Sequence, residues 1–226
     1  MDSKNNYLKN IEPIMKILIK HFDYKNRTTL NRMRGENQNK ETPFKILVSC
    51  LLSLRTQDKN TEKTSKALFE IADTPEKILN LSDKRLEKTI FSSGHYKKKA
   101  QTLKSVSRDL IEKFNGRVPE KKEELLSIKG IGPKTANIVL AFAFNKPVLP
   151  IDTHCHRIPN RLGWVQTKTP EKTETELEKI LPKKYWKEFN GIFVLFGKTI
   201  CQPVSPLCSQ CPINKYCPKI GVKRSR

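Results

Sequence analysis

Hydrophobic residues recur with a helical period through most of the chain. Three segments place apolar side chains at i, i+3, i+4 and i+7, over residues 44–52, 136–144 and 189–196. The alternating pattern of a half-buried strand is almost absent. Turn signals such as Thr42-Pro43, Thr74-Pro75 and Thr169-Pro170 separate the helical segments. Several are also helix starts, and Thr74 is predicted to be an N-cap with Pro75 at the first helical position. The pattern predicts an all-α chain of about ten helices followed by an irregular C-terminal loop.

The N-terminal segment from Ile11 to Ile19 is apolar enough to raise the question of a signal peptide. It contains Glu12, Pro13 and Lys16, and no stretch of the chain approaches the roughly 18 apolar residues of a membrane span. We therefore predict an amphipathic helix here. Without a targeting signal we expect a reducing compartment, namely a prokaryotic cytoplasm at its nucleoid, with a nuclear location as the alternative.

The chain is strongly basic. It contains 44 lysine and arginine residues against 23 aspartate and glutamate residues, which gives a net charge of +21 and a pI near 9.8. Such an excess attracts polyanions at long range, and nucleic acid is the commonest partner of this kind. General enrichment in surface lysine is the alternative, so charge by itself indicates nucleic-acid binding without establishing it.

A glycine-rich turn lies between two helical segments. Gly130 and Gly132 permit positive φ angles and a close backbone approach. Pro133 suits the first position of the next helix, which we predict to run to about Phe144. Free amide groups at the start of that helix favour an anion such as a DNA phosphate. This pattern is typical of a helix-hairpin-helix motif, which grips the DNA backbone without reading bases. A plain connection between helices is the alternative.

Lys134 stands at the start of this helix, where its positive charge opposes the helix dipole. Such a position lowers the cost of the neutral amine, which is the nucleophilic form. Asp152 follows eighteen residues later, after Pro147 and Pro150 turn the chain back, and is a suitable carboxylate partner. Asp152 is equally suited to be the N-cap of a helix beginning near Thr153, and the two roles are compatible.

Four cysteines near the C-terminus have the spacing C-x6-C-x2-C-x5-C, at Cys201, Cys208, Cys211 and Cys217. Four thiolates at this spacing can hold a [4Fe-4S] cluster. Structural zinc is the alternative, although its sites usually have two closely spaced cysteine pairs, and only Cys208 and Cys211 form one. Cys50 lies on an apolar helix face and is predicted to be a core residue.

Taken together, these residues resemble the endonuclease III family of helix-hairpin-helix DNA glycosylases, which carry a [4Fe-4S] cluster. The resemblance extends over roughly residues 10–218. The matching segments are Leu51-Leu52-Ser53 with Asp58, Gly94-His95-Tyr96-Lys97-Lys98-Lys99-Ala100, Gly116 with Val118-Pro119, Gly130 to Asn137, Ile151-Asp152-Thr153-His154 with Arg157, and the four C-terminal cysteines.

The resemblance implies an all-α, bilobal fold. One lobe would be a six-helix barrel that contains the helix-hairpin-helix, over residues 36–146. Residues 1–35 and 147–226 would form a second helical lobe with the iron–sulfur cluster loop. By motif position, Lys134 would be the nucleophile and Asp152 its catalytic carboxylate. The four C-terminal cysteines would bind the cluster.

The resemblance also implies the activity. The chain would be a bifunctional DNA glycosylase and abasic-site lyase that removes oxidised or ring-saturated pyrimidines in base excision repair, through a lysine Schiff base and β-elimination. We expect it to act as a monomer on double-stranded DNA containing a damaged base or an abasic site, without a membrane. The residues expected to contact DNA are Arg55, His95, Tyr96, Gly130, Gly132 and His154.

Arg55 departs from the family pattern, and the sequence allows two interpretations of one lysine-rich segment. Bacterial relatives commonly have glutamine where Arg55 stands, a position whose side chain enters the gap left by the flipped base. Arginine only donates hydrogen bonds, so it would suit the O6 and N7 acceptors of an orphan guanine. Lys97, Lys98 and Lys99 form either a second phosphate-contacting hairpin or a solvated turn.

Two other functions remain open from the sequence. A mismatch-specific thymine or uracil DNA glycosylase would have the same fold, and Arg55 is compatible with it. A non-enzymatic iron–sulfur DNA-binding protein belongs to a different class. Pure binding would need neither Lys134 nor Asp152, and these two residues therefore argue against it.

Overall fold

A computed structural model describes residues 7–22 and 42–226 of the chain. These ranges are all-helical, as the hydrophobic pattern predicted, and contain no β-strand. Their eleven α-helices are α1 (Ile11–His21), α2 (Pro43–Ser53), α3 (Asp58–Phe69), α4 (Pro75–Asn80), α5 (Asp83–Thr89), α6 (Tyr96–Phe114), α7 (Lys122–Ser127), α8 (Pro133–Ala143), α9 (Thr153–Arg161), α10 (Pro170–Ile180) and α11 (Trp186–Thr199). Short 3-10 helices lie at Lys183–Tyr185, Cys208–Gln210 and Asn214–Tyr216. None of the described helices is long and apolar enough to cross a membrane.

The chain divides into two compact units. One comprises Thr29–Lys146, and the other comprises Met1–Thr28 together with Pro147–Arg226. The first unit carries α2 to α8, and the second carries α1 and α9 to α11. The predicted boundary between residues 35 and 36 lies outside the described residues. The assignment of a barrel to residues 36–146 and of a cluster lobe to the remainder stays a prediction.

Threonine–proline pairs begin three of the helices, and they include Thr74-Pro75, which the sequence predicted as a helix start. The hydroxyl groups of Thr42, Thr74 and Thr169 each accept a hydrogen bond at 3.3 Å from the amide three residues later. Proline follows each threonine at the first helical position. An amide hydrogen at this position would have no acceptor within the helix, so proline loses no helical hydrogen bond there. These caps define the starts of α2, α4 and α10.

Helix α2 is the central element of the first unit. Its residues from Phe44 to Leu52 are buried apart from Lys45, and the helix packs against α3 and α8. Helix α6 is 19 residues long and buries the stripe formed by Leu103, Val106 and Leu110. It packs against α4 and also contacts α2. This arrangement places the end of α2 beside the start of α6, and the start of α8 beside α2.

An aromatic core holds the second unit together. The rings of Phe189 and Phe193 stack at 4.1 Å between centroids, and Trp164 lies 5.8 Å from Phe193. Helix α1 contributes Ile14, Met15 and Leu18, all fully buried, to the same core. Helix α9 packs against α11. The core therefore fixes the first turn of α9, where Asp152 lies, and the end of α11, which leads to the cysteine loop.

Candidate functional site

The glycine turn lies between α7 and α8, as predicted. Gly130 has a φ of 103°, and a Cβ atom there would lie 2.8 Å from Cγ2 of Thr102. This position therefore requires glycine. Gly132, the N-cap of α8, has a φ of −95° and nothing within 4 Å of a built Cβ atom. Its missing side chain thus relieves no internal crowding and leaves the backbone at the start of α8 uncovered. The amide of Lys129 donates to Oδ2 of Asp109 at 3.2 Å, which ties the turn to α6.

Lys134 is the second residue of α8 and is half-buried. Its ammonium group lies close to Cys50 on α2. Burial raises the pKa of the Cys50 thiol, and the positive charge of Lys134 opposes part of that rise. Cys50 is 1% exposed, which confirms its predicted place in the core.

Asp152 is the N-cap of α9, as the sequence predicted. Its Oδ1 accepts hydrogen bonds from the amides of His154 and Cys155, each at 2.9 Å. These bonds hold the side chain at the N-terminal end of the helix, where the dipole favours negative charge. Such a fixed carboxyl group can stabilise positive charge that develops on a substrate. Lys134 and Asp152 therefore each lie at the start of a helix, Lys134 in the first unit and Asp152 in the second.

Arg55 and His95 lie on two exposed turns that the structure brings together. Both have left-handed backbone, with φ angles of 53° and 57°. The amide of Gly94 donates to Oγ1 of Thr56 at 3.1 Å, so the turn after α2 is held against the turn before α6. The pairing of these two turns joins candidate DNA-contacting residues that are forty positions apart in the sequence.

The start of α6 also carries Tyr96 and three lysines. Tyr96 is half-buried, and its ring lies 5.0 Å from that of Phe91, which is 66% exposed. Lys97 and Lys98 are exposed. Lys99 is only 8% exposed, so neither interpretation that the sequence suggested for the three lysines, a phosphate contact or a solvated turn, applies to it. Lys99 is buried because it lies on the same helix face as the buried stripe of α6.

His154 is half-buried and packs against α11. Its Nδ1 lies 3.1 Å from Nη2 of Arg157, and that nitrogen also donates to the carbonyl oxygen of Cys201 at 2.8 Å. A Cβ atom on Gly197 would collide with the His154 ring. Sequence reasoning matched Arg157 to a motif without anticipating that it connects His154 to the cysteine loop. A contact between His154 and DNA stays a prediction.

The four C-terminal cysteines line one cavity in the second unit, together with largely apolar neighbours that include Ile158, Leu162, Phe196, Ile200 and Ile213. Arg161 also lines it and is 8% exposed. Its Nη1 lies 3.4 Å from Sγ of Cys201 and donates to the carbonyl oxygen of Gln202 at 2.7 Å. Sequence reasoning missed Arg161, although its i+4 spacing from Arg157 places both guanidinium groups on one face of α9.

Within residues 7–22 and 42–226, no three histidine, cysteine, aspartate or glutamate side chains converge closely enough to hold one metal ion. Burial raises the pKa of Cys211 to about 11 and also raises that of Cys217, and neighbouring cysteines add to both rises. Four thiolates in this cavity would therefore need a cationic group among them.

Known proteins share both the sequence and the structure of this chain. Residues 48–183 match the model of a family described as HhH-GPD superfamily base excision DNA repair protein. Endonuclease III of Thermotoga maritima is 50% identical over 185 residues, which span 81% of this chain and 87% of that protein. This chain belongs to the endonuclease III family. Endonuclease III of Haemophilus influenzae is 36% identical over 83% of this chain and 92% of that protein.

Solved structures agree with this membership. A non-covalent endonuclease III–DNA complex superposes with a TM-score of 0.83 and 31% identity over 97% of each chain. A trapped covalent endonuclease III–DNA intermediate, an estranged-adenine complex, gives a TM-score of 0.81 with the same identity and coverage. These matches confirm the predicted fold class. As an endonuclease III family member, the protein is a base excision repair enzyme, a DNA glycosylase and abasic-site lyase.

Proposed function

We propose that this endonuclease III family member removes oxidised or ring-saturated pyrimidines and cleaves the strand at the resulting abasic site through Lys134. The observation that carries the proposal is the place of Lys134 in the first turn of α8, directly after the uncovered backbone of Gly132. A phosphate held by that backbone would bring the sugar of a flipped nucleotide near the amine. The trapped covalent intermediate of a relative supports a covalent route.

In the proposed reaction, the neutral amine of Lys134 attacks C1′ of the flipped nucleotide. The bond from C1′ to the damaged base breaks, and its electron pair leaves with the base. Opening of the sugar ring gives a Schiff base between Nζ and C1′. Loss of a proton from C2′ then expels the 3′-phosphate by β-elimination, which cleaves the strand. Water finally hydrolyses the Schiff base and restores the amine.

Asp152 would act through its charge. Positive charge develops on the sugar as the base leaves, and a carboxylate directed at it lowers the barrier. The same group can instead accept a proton during the reaction. The cap bonds from His154 and Cys155 support either role, because they hold the carboxyl group in place before substrate binds.

Borohydride trapping tests the role of Lys134. Wild-type protein and a duplex containing thymine glycol should give a covalent adduct on reduction, whereas Lys134→Ala should give none. Lys88→Ala is the matched control, because the Lys88 side chain is exposed on α5, outside the glycine turn. Its adduct yield should equal that of the wild type. An undiminished adduct in Lys134→Ala would remove this residue from the proposed role.

A second substrate class, thymine or uracil opposite guanine, is favoured by Arg55. This residue is exposed on a left-handed turn, and its guanidinium group can donate to O6 and N7 of an orphan guanine. We propose that excision is faster opposite guanine than opposite adenine. Excision rates on thymine glycol opposite each purine, and on G·T and G·U pairs, separate the two substrate classes. Equal rates opposite guanine and adenine would contradict the role of Arg55.

For the cofactor, we propose a [4Fe-4S] cluster held by Cys201, Cys208, Cys211 and Cys217. Their shared apolar cavity, and a spacing with only one closely spaced cysteine pair, support a cluster over zinc. When bound, the cluster would cross-link the C-terminal loop to the end of α11. Purified protein should contain iron and sulfide, about four of each per chain. Zinc without iron would contradict the proposal.

The proposed partner is double-stranded DNA that contains a damaged base or an abasic site. The net charge of +21 supports this partner. We propose that the protein acts as a monomer in a prokaryotic cytoplasm, at the nucleoid.

A further inference from the structure

The turn that carries Arg55 has an unusual backbone for a long side chain. Helix α2 ends at Ser53, and Arg55 follows with a φ of 53°, a left-handed conformation that residues with a Cβ atom rarely adopt. The Arg55 side chain is exposed, so it gains nothing from packing into the unit. Such a conformation persists only where neighbouring groups hold it.

The hydroxyl group of Thr56 is one of the groups that hold this turn. Its Oγ1 accepts hydrogen bonds from the amide of Gly94 at 3.1 Å and from Nζ of Lys99 at 2.6 Å. It also donates to the carbonyl oxygen of Leu54 at 3.4 Å. The bonds therefore fix the backbone on both sides of Arg55.

Lys99 is the second group. It lies in the first turn of α6, is 8% exposed, and donates from Nζ both to Thr56 and to the carbonyl oxygen of Leu52 at 2.6 Å. Leu52 belongs to the last turn of α2, where a lysine can satisfy a helical carbonyl group that has lost its partner. One buried amine thus joins the end of α2 to the residue that follows Arg55.

Gly94 is the third group, and it acts through its lack of a side chain. A Cβ atom at this position would lie 2.6 Å from the carbonyl oxygen of Arg55. The backbone of the turn before α6 therefore approaches the Arg55 peptide as closely as a glycine allows. A bulkier residue at position 94 would push the Arg55 turn outward.

From this geometry we propose that Thr56 and Lys99 are positioning residues that hold Arg55 in a preformed, outward-facing turn, so that its guanidinium group meets the orphan base without first being ordered. The proposal rests on the role given above to Arg55 opposite guanine. Neither residue is expected to touch DNA or the reacting atoms. Their effect on excision should pass entirely through Arg55.

Substitutions that keep side-chain shape test this role. Thr56→Val removes the hydroxyl group, Lys99→Met removes the amine, and Thr56→Ser keeps a hydroxyl group. We expect single-turnover excision of thymine glycol opposite guanine to slow by at least roughly fivefold in the first two variants, because one lost hydrogen bond has that scale and each variant loses more than one. Thr56→Ser should restore the wild-type rate. An unchanged rate in both Thr56→Val and Lys99→Met would overturn the proposal.

A double-mutant cycle separates positioning from a general loss of structure. The double variant Arg55→Ala/Thr56→Val should excise no more slowly than Arg55→Ala, because the turn then has no side chain to present. If the two substitutions slow excision independently, so that their effects add in the double variant, the positioning role is overturned while the lesion assignment stays intact. If Arg55→Ala has no effect on rate or on preference for guanine, the proposed role of Arg55 fails, and the positioning role fails with it.

Hydrogen exchange gives a readout that does not depend on activity. Amides of residues 54–57 should exchange faster in Thr56→Val and Lys99→Met than in wild-type protein and Thr56→Ser. Thr89→Val is the matched control, because its hydroxyl group donates to a backbone carbonyl within α5, at 2.9 Å. It should leave exchange at residues 54–57 unchanged. Equal protection of the turn in all five proteins would overturn the proposal.

Discussion

Lys99 and Lys134 are lysines in the first turns of α6 and α8, yet the structure gives them different surroundings. Lys134 is half-buried beside an uncharged thiol, whereas Lys99 is buried and donates to two neutral oxygen atoms. The glycine turn before Lys134 made it conspicuous in the sequence. Lys99 was one of three consecutive lysines, and its place on the apolar stripe of α6 was the signal that distinguished it.

The burial of Lys99 makes part of the stability depend on pH. Desolvation lowers the pKa of Lys99 from its ordinary value of 10.5 to about 8 in the folded protein. Between these values the unfolded chain binds a proton that the folded protein does not, so the contribution of Lys99 to stability rises with pH. Relative to Lys99→Met, the wild type should gain up to about 1.4 kcal/mol in free energy of unfolding per pH unit between roughly pH 8 and pH 10.

Urea unfolding of both proteins across this pH range measures the difference. Lys98→Met is the control, because Lys98 is exposed next to Lys99, and its stability should follow the wild type at every pH. If the stability of Lys99→Met also follows the wild type in parallel, the amine is not desolvated in the folded protein.

At the scale of elements, local chemistry predicted where helices begin. Proline and threonine restrict the backbone without reference to the remaining chain, and this is why the starts of α4 and α8 could be located. Helix α8 was predicted to run from Pro133 to about Phe144 and ends at Ala143. The contact between the Arg55 turn and the start of α6 could not be predicted, because no local pattern encodes a hydrogen bond across 38 residues.

The two glycines of the turn before α8 should respond differently to alanine. Gly130→Ala should lower the free energy of unfolding by about 1–2 kcal/mol, because the φ of 103° is left-handed and Thr102 is in the way. Gly132→Ala should cost less, about 0.5 kcal/mol, since its φ is ordinary and its surroundings are open, and the remaining loss arises because alanine is a poorer N-cap than glycine. Gly132→Ala should nevertheless weaken DNA binding, because a methyl group would cover the backbone that is proposed to bind phosphate.

Thermal unfolding and binding to a duplex with an uncleavable abasic analogue measure the two effects. Full DNA affinity in Gly132→Ala would show that this backbone does not contact phosphate.

The observed role of Asp152 as a helix cap and its proposed role as a catalytic carboxylate can be separated by substitution. Asparagine caps a helix as well as aspartate does, so Asp152→Asn should keep the stability of the wild type. Asp152→Ala should lose about 1 kcal/mol of stability with the cap. Both variants should lose base excision by roughly 10²-fold or more, because both lack the carboxylate. Normal excision by Asp152→Asn, measured under single-turnover conditions, would reduce Asp152 to a cap.

At the scale of the whole molecule, net charge is the property that acts on DNA before any specific contact forms. The +21 charge attracts the duplex from any direction, whereas the glycine turn and Lys134 act only at short range. Composition alone predicted this long-range attraction. It could not indicate which of the 44 basic residues contact phosphate and which, like Lys99 and Arg161, are buried.

Binding should therefore weaken steeply with salt. If six phosphates are neutralised, affinity for a duplex with an uncleavable abasic analogue should fall by roughly 10³-fold between about 50 and 200 mM salt, because bound counterions are released. Fluorescence anisotropy at several salt concentrations gives the slope and hence the number of phosphates contacted. A dissociation constant that does not change with salt would show that the charge excess does not contribute to binding.

The sequence by itself determined the helical class, several helix starts and the glycine turn, and it singled out Lys134, Asp152 and the four cysteines as candidate site residues. These features depend on residue type and short spacing, which act locally on the backbone. Only the tertiary structure decided that Lys99 is buried, that Thr56 joins two distant turns, and that Arg157 and Arg161 contact the cysteine loop. Those facts depend on which helix faces meet. Side-chain packing between segments that are remote in the sequence decides which faces these are.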